Sequence, residues 1–152
     1  MARIHIEMVA RAPCVIVFDL ARDLDFHTRS LEHTGEHIVG GRRGGLIELG
    51  EEVEWEARHF GLRLRLRSRI SEMDRPRTFV DEQVRGPFRS FVHRHVFIAD
   101  GDTTRMVDDW EHRAPLGFAT DLVLRGYMSR LLTTRNTAIV AEAERRARST
   151  QR

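Results

Sequence analysis

The sequence predicts an α+β fold in which a curved antiparallel sheet of six to seven strands wraps around one long C-terminal helix, with two short helices after the first strand. Three observations carry that expectation. Between Glu36 and Arg113 the chain reads as strands broken by turn signals, with no helical period between them. After Pro115 the apolar residues recur at steps of three and four, the spacing of one helical face. Around Phe60-Gly61, glutamates on one limb oppose arginines on the other when the chain folds back on itself.

Each element has a local reason. Ile4, Ile6 and Met8 alternate with His5 and Glu7, a period of two that reads as a strand. Ala12-Pro13 places proline where a first helical turn tolerates it, so Cys14 to Leu20 is a short helix and Asp23 to Leu31 a second. Turns are then marked by Gly40-Gly41-Arg42-Arg43-Gly44-Gly45, Phe60-Gly61, Asp74-Arg75-Pro76, Gly86-Pro87 and Asp100-Gly101-Asp102. In the final helix, Leu116, Leu122, Val123, Tyr127, Met128, Leu131, Leu132, Ile139 and Ala143 form the apolar stripe, and the tail from Arg145 to Arg152 frays. No internal repeat or linker interrupts residues 1–152, which are expected to form one domain.

Composition narrows the function classes. The chain has 152 residues, 41% hydrophobic and 32% charged, which is the balance of a globular domain, and no stretch offers the run of about 20 apolar residues that a membrane span needs. All 25 basic side chains are arginine, and 23 carboxylates nearly balance them to a net charge of +2. Nucleic acid is therefore not an expected partner, because Arg63, Arg65, Arg67 and Arg69 face Glu52, Glu54 and Glu56 and phosphate binding needs uncompensated cations. Cys14 is the single cysteine, so neither an intrachain disulfide nor a cysteine-rich zinc site is available. The first ten residues lack the apolar run of a signal peptide, and a cytoplasmic location is expected.

Hairpin registers decide which side chains share a face. A two-residue Phe60-Gly61 loop sets Glu56 against Arg65, Glu54 against Arg67 and Glu52 against Arg69, with Ala57 against Leu64 and Trp55 against Leu66 on the other side. A two-residue Gly101-Asp102 loop of type II′ sets Phe97 against Met106, His95 against Asp108, His93 against Trp110 and Phe91 against His112. A three-residue loop at Gly86-Pro87 adds Gln83 against Phe91, Asp81 against His93 and Phe79 against His95. The inner face then carries Val53, Trp55, Ala57, Leu62, Leu64, Leu66, Ile70, Phe79, Phe91, Phe97, Met106 and Trp110, with Asp81, Gln83, His93, His95, Asp108 and His112 embedded among them. The outer face carries the charge ladder with Val80, Val84, Val92 and Val96. Polar groups buried without partners cost roughly 1–3 kcal/mol each, so a face of this composition points to a cavity in which they are paired, hydrated or used on a ligand.

The order of elements, together with Pro76-Arg77-Thr78-Phe79-Val80-Asp81-Glu82-Gln83, Gly86-Pro87-Phe88, Phe91-Val92-His93-Arg94-His95-Val96-Phe97, Thr104 to Asp108 and Ala114-Pro115-Leu116-Gly117, resembles the START-like or SRPBCC superfamily, the helix-grip fold of Bet v 1-type and polyketide cyclase/dehydrase-like proteins. The resemblance covers nearly the whole chain and is nearest to a bacterial ligand-binding branch. It implies a cavity between sheet and C-terminal helix that takes a small hydrophobic or aromatic molecule, such as a lipid, polyketide-like or isoprenoid-like compound. Trp55, Leu64, Leu66, Phe79, Phe91, Phe97 and Trp110 would form the walls, and Tyr127, Met128 and Leu131 the helix side. Asp81, Gln83, His93, His95, Asp108 and His112 would orient the ligand. A catalytic alternative is a cyclase or dehydratase in which His93 or His95, oriented by Asp81 or Asp108, is the general acid/base. A third class is a protein-partner module using the cavity rim and the outer valines. No cofactor is implied; His93 and His95 with Asp108 or His112 offer zinc-type donors, but the expected reading has no metal. A monomer or weak homodimer is expected.

Overall fold

The computed structural model describes residues 1–152. Strand β1 (Ala2–Ala10) is followed by helices α1 (Cys14–Ala21) and α2 (Leu24–Ser30) and a 3-10 turn (Glu32–Thr34). Strands β2 (His37–Gly41), β3 (Glu52–His59), β4 (Leu62–Asp74), β5 (Thr78–Arg85), β6 (Ser90–Asp100) and β7 (Thr103–Arg113) then form a meander, and α3 (Phe118–Thr150) closes the chain. The sheet order is β1-β7-β6-β5-β4-β3-β2, antiparallel throughout, so the N-terminal strand completes the sheet beside β7. The chain thus has the helix-grip α+β architecture its sequence predicts.

Local chemistry sets the boundaries. Asp23 caps α2 by accepting from the Phe26 amide at 3.0 Å. Phe60 and Gly61 both have positive φ, 54° and 73°, as a two-residue type I′ hairpin demands. Gly101 at φ 61° is followed by a residue of ordinary φ, in keeping with type II′. Gly41, at φ 69°, is required twice over, since a Cβ there would lie 2.3 Å from the Glu52 carbonyl oxygen. Gly41→Ala is accordingly expected to destabilise the chain by about 1–3 kcal/mol in urea titrations, while the same change at exposed Gly126, which has open space around it, leaves stability unchanged or raised.

All three hairpin registers are those expected. The β5–β6 ladder stops at Glu82↔Val92, so Gln83 and Phe91 are not paired and the connection is wider than three residues. On the outer face Glu56–Arg65 at 2.7 Å and Glu52–Arg69 at 2.6 Å pair directly across as expected, while the Glu54–Arg67 pair does not form. Arg67 reaches Glu52 at 2.5 Å, while Glu54 is taken by Arg85 of β5 at 2.8 Å. Val80, expected on an open outer face, is buried because its neighbours across the sheet, Glu72 and Arg94, join in an ion pair at 3.3 Å. Leu62 is exposed rather than inward, at the start of β4 beside the hairpin loop.

The dry half of the interior is built on α1. Phe18 meets Phe79 and Phe97 edge to face at centroid distances of 5.5 and 5.4 Å, and Ile139, Ala143 and Ala147 of α3 close over them. Ala147 is buried, so the helix continues to Thr150 and the tail does not fray at Arg145. At the other end of α3 the predicted stripe is displaced. Leu116, Leu122 and Val123 face solvent, and the inward face runs through Leu124, Met128, Leu131 and Arg135. Steps of four, three and four fit one helical face, and it is offset from the apolar residues because Arg135 occupies one of its positions.

Candidate functional site

Where α3 lifts away from the sheet, a cavity of about 290 Å³ opens between them. This is near the lower end of the range for small-molecule sites, roughly 300–1,000 Å³. Its walls are mostly apolar. Of the residues expected to line it, Trp55, Leu64, Leu66, Phe79, Asp81, Phe91, His93, His95, Trp110, Tyr127, Met128 and Leu131 do so. Four others do not. Phe97 belongs to the dry core against Phe18. Gln83 folds onto its own turn, donating to the Phe88 carbonyl at 2.8 Å and accepting from the Phe88 amide at 3.2 Å. His112 lies behind Trp110, whose indole N–H donates to its Nδ1 at 2.8 Å. Asp108 is buried behind the two histidines and meets the cavity through them.

One end of the cavity is polar. His93 and His95, two residues apart on β6, point the same way and lie with ring centroids 3.8 Å apart. Asp81 stands directly across from His93 and Asp108 directly across from His95, as the registers require. The shortest contacts nonetheless run diagonally: His93 Nε2 to Asp108 at 2.6 Å and His95 Nε2 to Asp81 at 2.8 Å. Side chains lean along a strand, and an imidazole is long enough to reach the diagonal neighbour. His95 Nδ1 keeps its directly opposed partner as well, 3.1 Å from Asp108. From α3, the Asn136 amide donates to the second oxygen of Asp108, tying helix to sheet at this point.

These contacts polarise the titration of the two rings. Burial, reinforced by the neighbouring His95, holds His93 below the ordinary imidazole value despite the hydrogen bond to Asp108. Burial acts on His95 in the same direction, but its hydrogen bonds to Asp108 and Asp81 outweigh it and raise the ring. Burial opposes ionisation of Asp108, yet the two imidazoles hold it well below the usual carboxylate range, and Asp81 is lowered for the same reason. Of the two rings, His95 is the one that holds its second proton more readily, and it sits between the two carboxylates.

Arg135 completes this end and was not anticipated from sequence. It is only 4% exposed, lines the cavity, and has a single polar contact, 3.5 Å from His95 Nδ1. A cationic His95 commits that nitrogen to Asp108, so the guanidinium is left without an acceptor. Also absent from the expectation are His59 and Phe60. The His59 ring lies 2.5 Å from the Tyr127 hydroxyl, and the Phe60 ring packs on Tyr127 at 4.5 Å, so the β3 end is joined to α3 at the mouth.

Asp81, His93 and His95 bring ligand atoms within 4.8 Å of one another and have the donor types of a divalent-metal site. His93 Nε2 and His95 Nε2 are engaged with carboxylates, and Arg135 adds a positive charge beside the cluster.

A family model described as polyketide cyclase / dehydrase and lipid transport matches residues 1–144. No curated protein matches the sequence. Among solved structures, the chain is similar to the Zhui aromatase/cyclase from Streptomyces sp. R1128, with a TM-score of 0.76 and 16% identity over 95% of this chain and 94% of that one. A START superfamily protein from Mycobacterium smegmatis gives 0.70 and 12% over 94% and 97%. The major latex-like protein 151 of Panax ginseng gives 0.65 and 14% over 93% and 97%. Identities this low establish a shared fold and leave the ligand open.

Proposed function

Because the chain belongs to the polyketide cyclase/dehydrase and lipid-transport family, we propose that it binds one small, mostly apolar or aromatic molecule whose single polar group sits against Arg135, His95 and Asp81. The observation that carries this reading is the make-up of the cavity: its walls are mostly apolar, and Asp81, His93, His95 and Arg135 form one polar cluster in them, beside the separate polar lining groups Arg22, Asp23, His27, Glu36, His59 and Tyr127. Charge refines the ligand class. With His95 protonated and His93 neutral, the directions in which burial and hydrogen bonding push the two rings, Asp81 and Asp108 offset His95 and Arg135 and the cluster sums to zero. A carboxylate would leave a buried net charge, whereas a carbonyl or phenolic oxygen accepts from Arg135 without one. An aromatic or lipid-like ketone of modest size fits.

Native mass spectrometry of freshly purified protein, followed by titration with the neutral fluorophore N-phenyl-1-naphthylamine, tests binding directly. A stoichiometric apolar adduct, or saturable fluorescence enhancement displaced by aromatic ketones, is expected. Ala57, buried in the β3 wall, faces the cavity, so Ala57→Phe should reduce fluorophore affinity at least about tenfold by occupying the space. An empty protein showing no saturable enhancement overturns the reading.

The catalytic alternative draws on one specific feature: His95, whose protonated form two carboxylates support, faces the cavity and in that form can donate a proton to an enolate or hydroxyl. It separates from binding alone on His95→Gln. Turnover of a β-hydroxyketone or poly-β-ketone would fall by about 10²–10⁴, whereas fluorophore affinity would change little.

A further inference from the structure

The connections β3–β4, β5–β6 and β7–α3 lie at one end of the sheet, because each follows a strand running in the same direction. They surround the cavity mouth, which Phe60, Pro87, Phe88 and Pro115 line. This end is unusually apolar for a surface. Eight of the thirteen exposed large hydrophobic side chains are in the segments at this end: Phe60, Leu62, Val84, Val92, Leu116, Phe118, Leu122 and Val123. Leu116 and Phe118, at 82% and 74%, are the most exposed of all. Scattered apolar residues on a surface need no explanation, but a cluster around a cavity opening does.

The same segments are strongly basic. Residues 58–65, 84–92 and 113–126 contain Arg58, Arg63, Arg65, Arg85, Arg89, Arg113 and Arg125 against one carboxylate, Asp121. That carboxylate is buried, accepting from the Ala114 amide and from the N-terminal amine. Arg63 and Arg65 share Glu56, and Arg85 pairs with Glu54, but Arg58, Arg89, Arg113 and Arg125 are exposed with no carboxylate within ion-pair distance. The neighbouring 3-10 turn and the segment after it contribute two carboxylates, exposed Glu32 and half-buried Glu36, the latter 3.2 Å from His27 Nε2. The opposite end differs. It too has exposed unpaired arginines, Arg11 and Arg43, but its turns carry Asp100 and Asp102, and Arg75 and Arg77 there are paired with Glu48 and Asp74. Although the net charge is only +2, arginines far outnumber carboxylates in the segments around the apolar mouth.

We propose that this end is a docking surface for an anionic phospholipid bilayer, with Leu116, Phe118, Leu122 and Val123 entering the interface and Arg58, Arg89, Arg113 and Arg125 lying at the phosphate level. Apolar side chains flanked by arginines are the composition of an interfacial anchor, and long arginine stems let the charge stay at the headgroups while the methylenes bury. A second protein chain of the same sequence fits less well, since a two-fold contact would set these arginines against one another. Docking in this orientation opens the cavity toward the acyl region, giving an apolar ligand a path that avoids water. The surface is present whether or not the cavity is filled, so its test does not depend on the ligand.

Co-sedimentation of the full chain with vesicles of equal phosphatidylglycerol and phosphatidylcholine, beside vesicles of phosphatidylcholine alone, reads it out. Binding to the anionic vesicles at 0.1 M salt is expected, weakened at least about tenfold on neutral vesicles and reduced as salt shortens the screening length. Arg113→Glu/Arg125→Glu and, separately, Leu116→Asp/Phe118→Asp should each lower vesicle affinity at least about tenfold. Both pairs are exposed and neither lines the cavity, so circular dichroism and N-phenyl-1-naphthylamine affinity should be unchanged. Equal binding to both vesicle types, or anionic binding that survives either double variant, overturns the proposal. So does a concentration-dependent dimer lost in Leu116→Asp/Phe118→Asp without vesicle binding, which assigns the patch to a second copy.

Discussion

Asp108→Ala is expected to destabilise the protein by about 3–5 kcal/mol, the range for removing one partner from a buried charged cluster. Asp108 is 1% exposed and collects donors from three residues: His93 Nε2 at 2.6 Å, His95 Nδ1 at 3.1 Å and the Asn136 amide. Its removal strands all three in the interior, and Asn136 already has an unpartnered Oδ1 there. Urea unfolding at pH 7 measures the loss; a change under about 1 kcal/mol would mean that water replaces the carboxylate without difficulty. The pH profile carries the same information with a definite sign. Asp108 and Asp81 are held low in the fold, so their contribution is complete above about pH 4 and is lost as pH falls through their folded values. His93, also held low, begins to add to that acid loss below about pH 6.5. His95 runs the other way: its ion pairs contribute fully below about pH 6.5 and the contribution fades as pH rises through its raised value. Stability in the wild-type chain should therefore fall on the acid side, and Asp108→Ala should flatten that limb, because the variant lacks the carboxylate whose protonation drives it.

The elements and registers were legible because side-chain chemistry alternates on a strand. Once Glu56 opposes Arg65 and His95 opposes Asp108, a slip of one residue would invert every face, so the pairing is overdetermined. Inside the cavity that logic reaches only as far as Cα positions. Gln83 has the right parity to face inward but satisfies both ends of its amide on the Phe88 backbone, a local bond that no register reveals. Phe97 has the right parity too, yet α1 lies over that end of β6 and Phe18 fills the space. Periodicity misplaced the wet face of α3 because it scored Leu122 and Val123 as core. The helix there stands off the sheet, and residues facing outward at the mouth can be apolar when a partner surface covers them. Arg135 was overlooked because a charge on a stripe reads as an interruption. It falls four residues after Leu131, on the same face, and that spacing was the available signal.

Arg135→Met is expected to separate ligands by their polar group. The substitution keeps an unbranched chain of similar length, so the packing against Leu131 and Leu132 is largely retained while the guanidinium is removed. Hydrogen bonds to a charged donor contribute roughly 1.5–3 kcal/mol, and the affinity of an aromatic ketone such as 6-propionyl-2-(dimethylamino)naphthalene should fall by about 10- to 150-fold. N-phenyl-1-naphthylamine has no carbonyl to lose and should hold its affinity within about twofold. The ketone probe also reports its own surroundings, since its emission shifts to the blue when the carbonyl loses a strong donor. Arg135→Lys keeps the charge but not the planar fork and should fall between the two. Stability adds an independent readout. Arg135 is buried with no carboxylate within ion-pair distance, and its charge acts on Asp81 only at longer range, so Arg135→Met should change urea stability far less than Asp108→Ala does. Equal losses for both probes would assign Arg135 to packing. No loss for either would place the ligand's polar group on Asp81, His93 or His95, the remaining polar groups of that cluster that line the cavity on the sheet side.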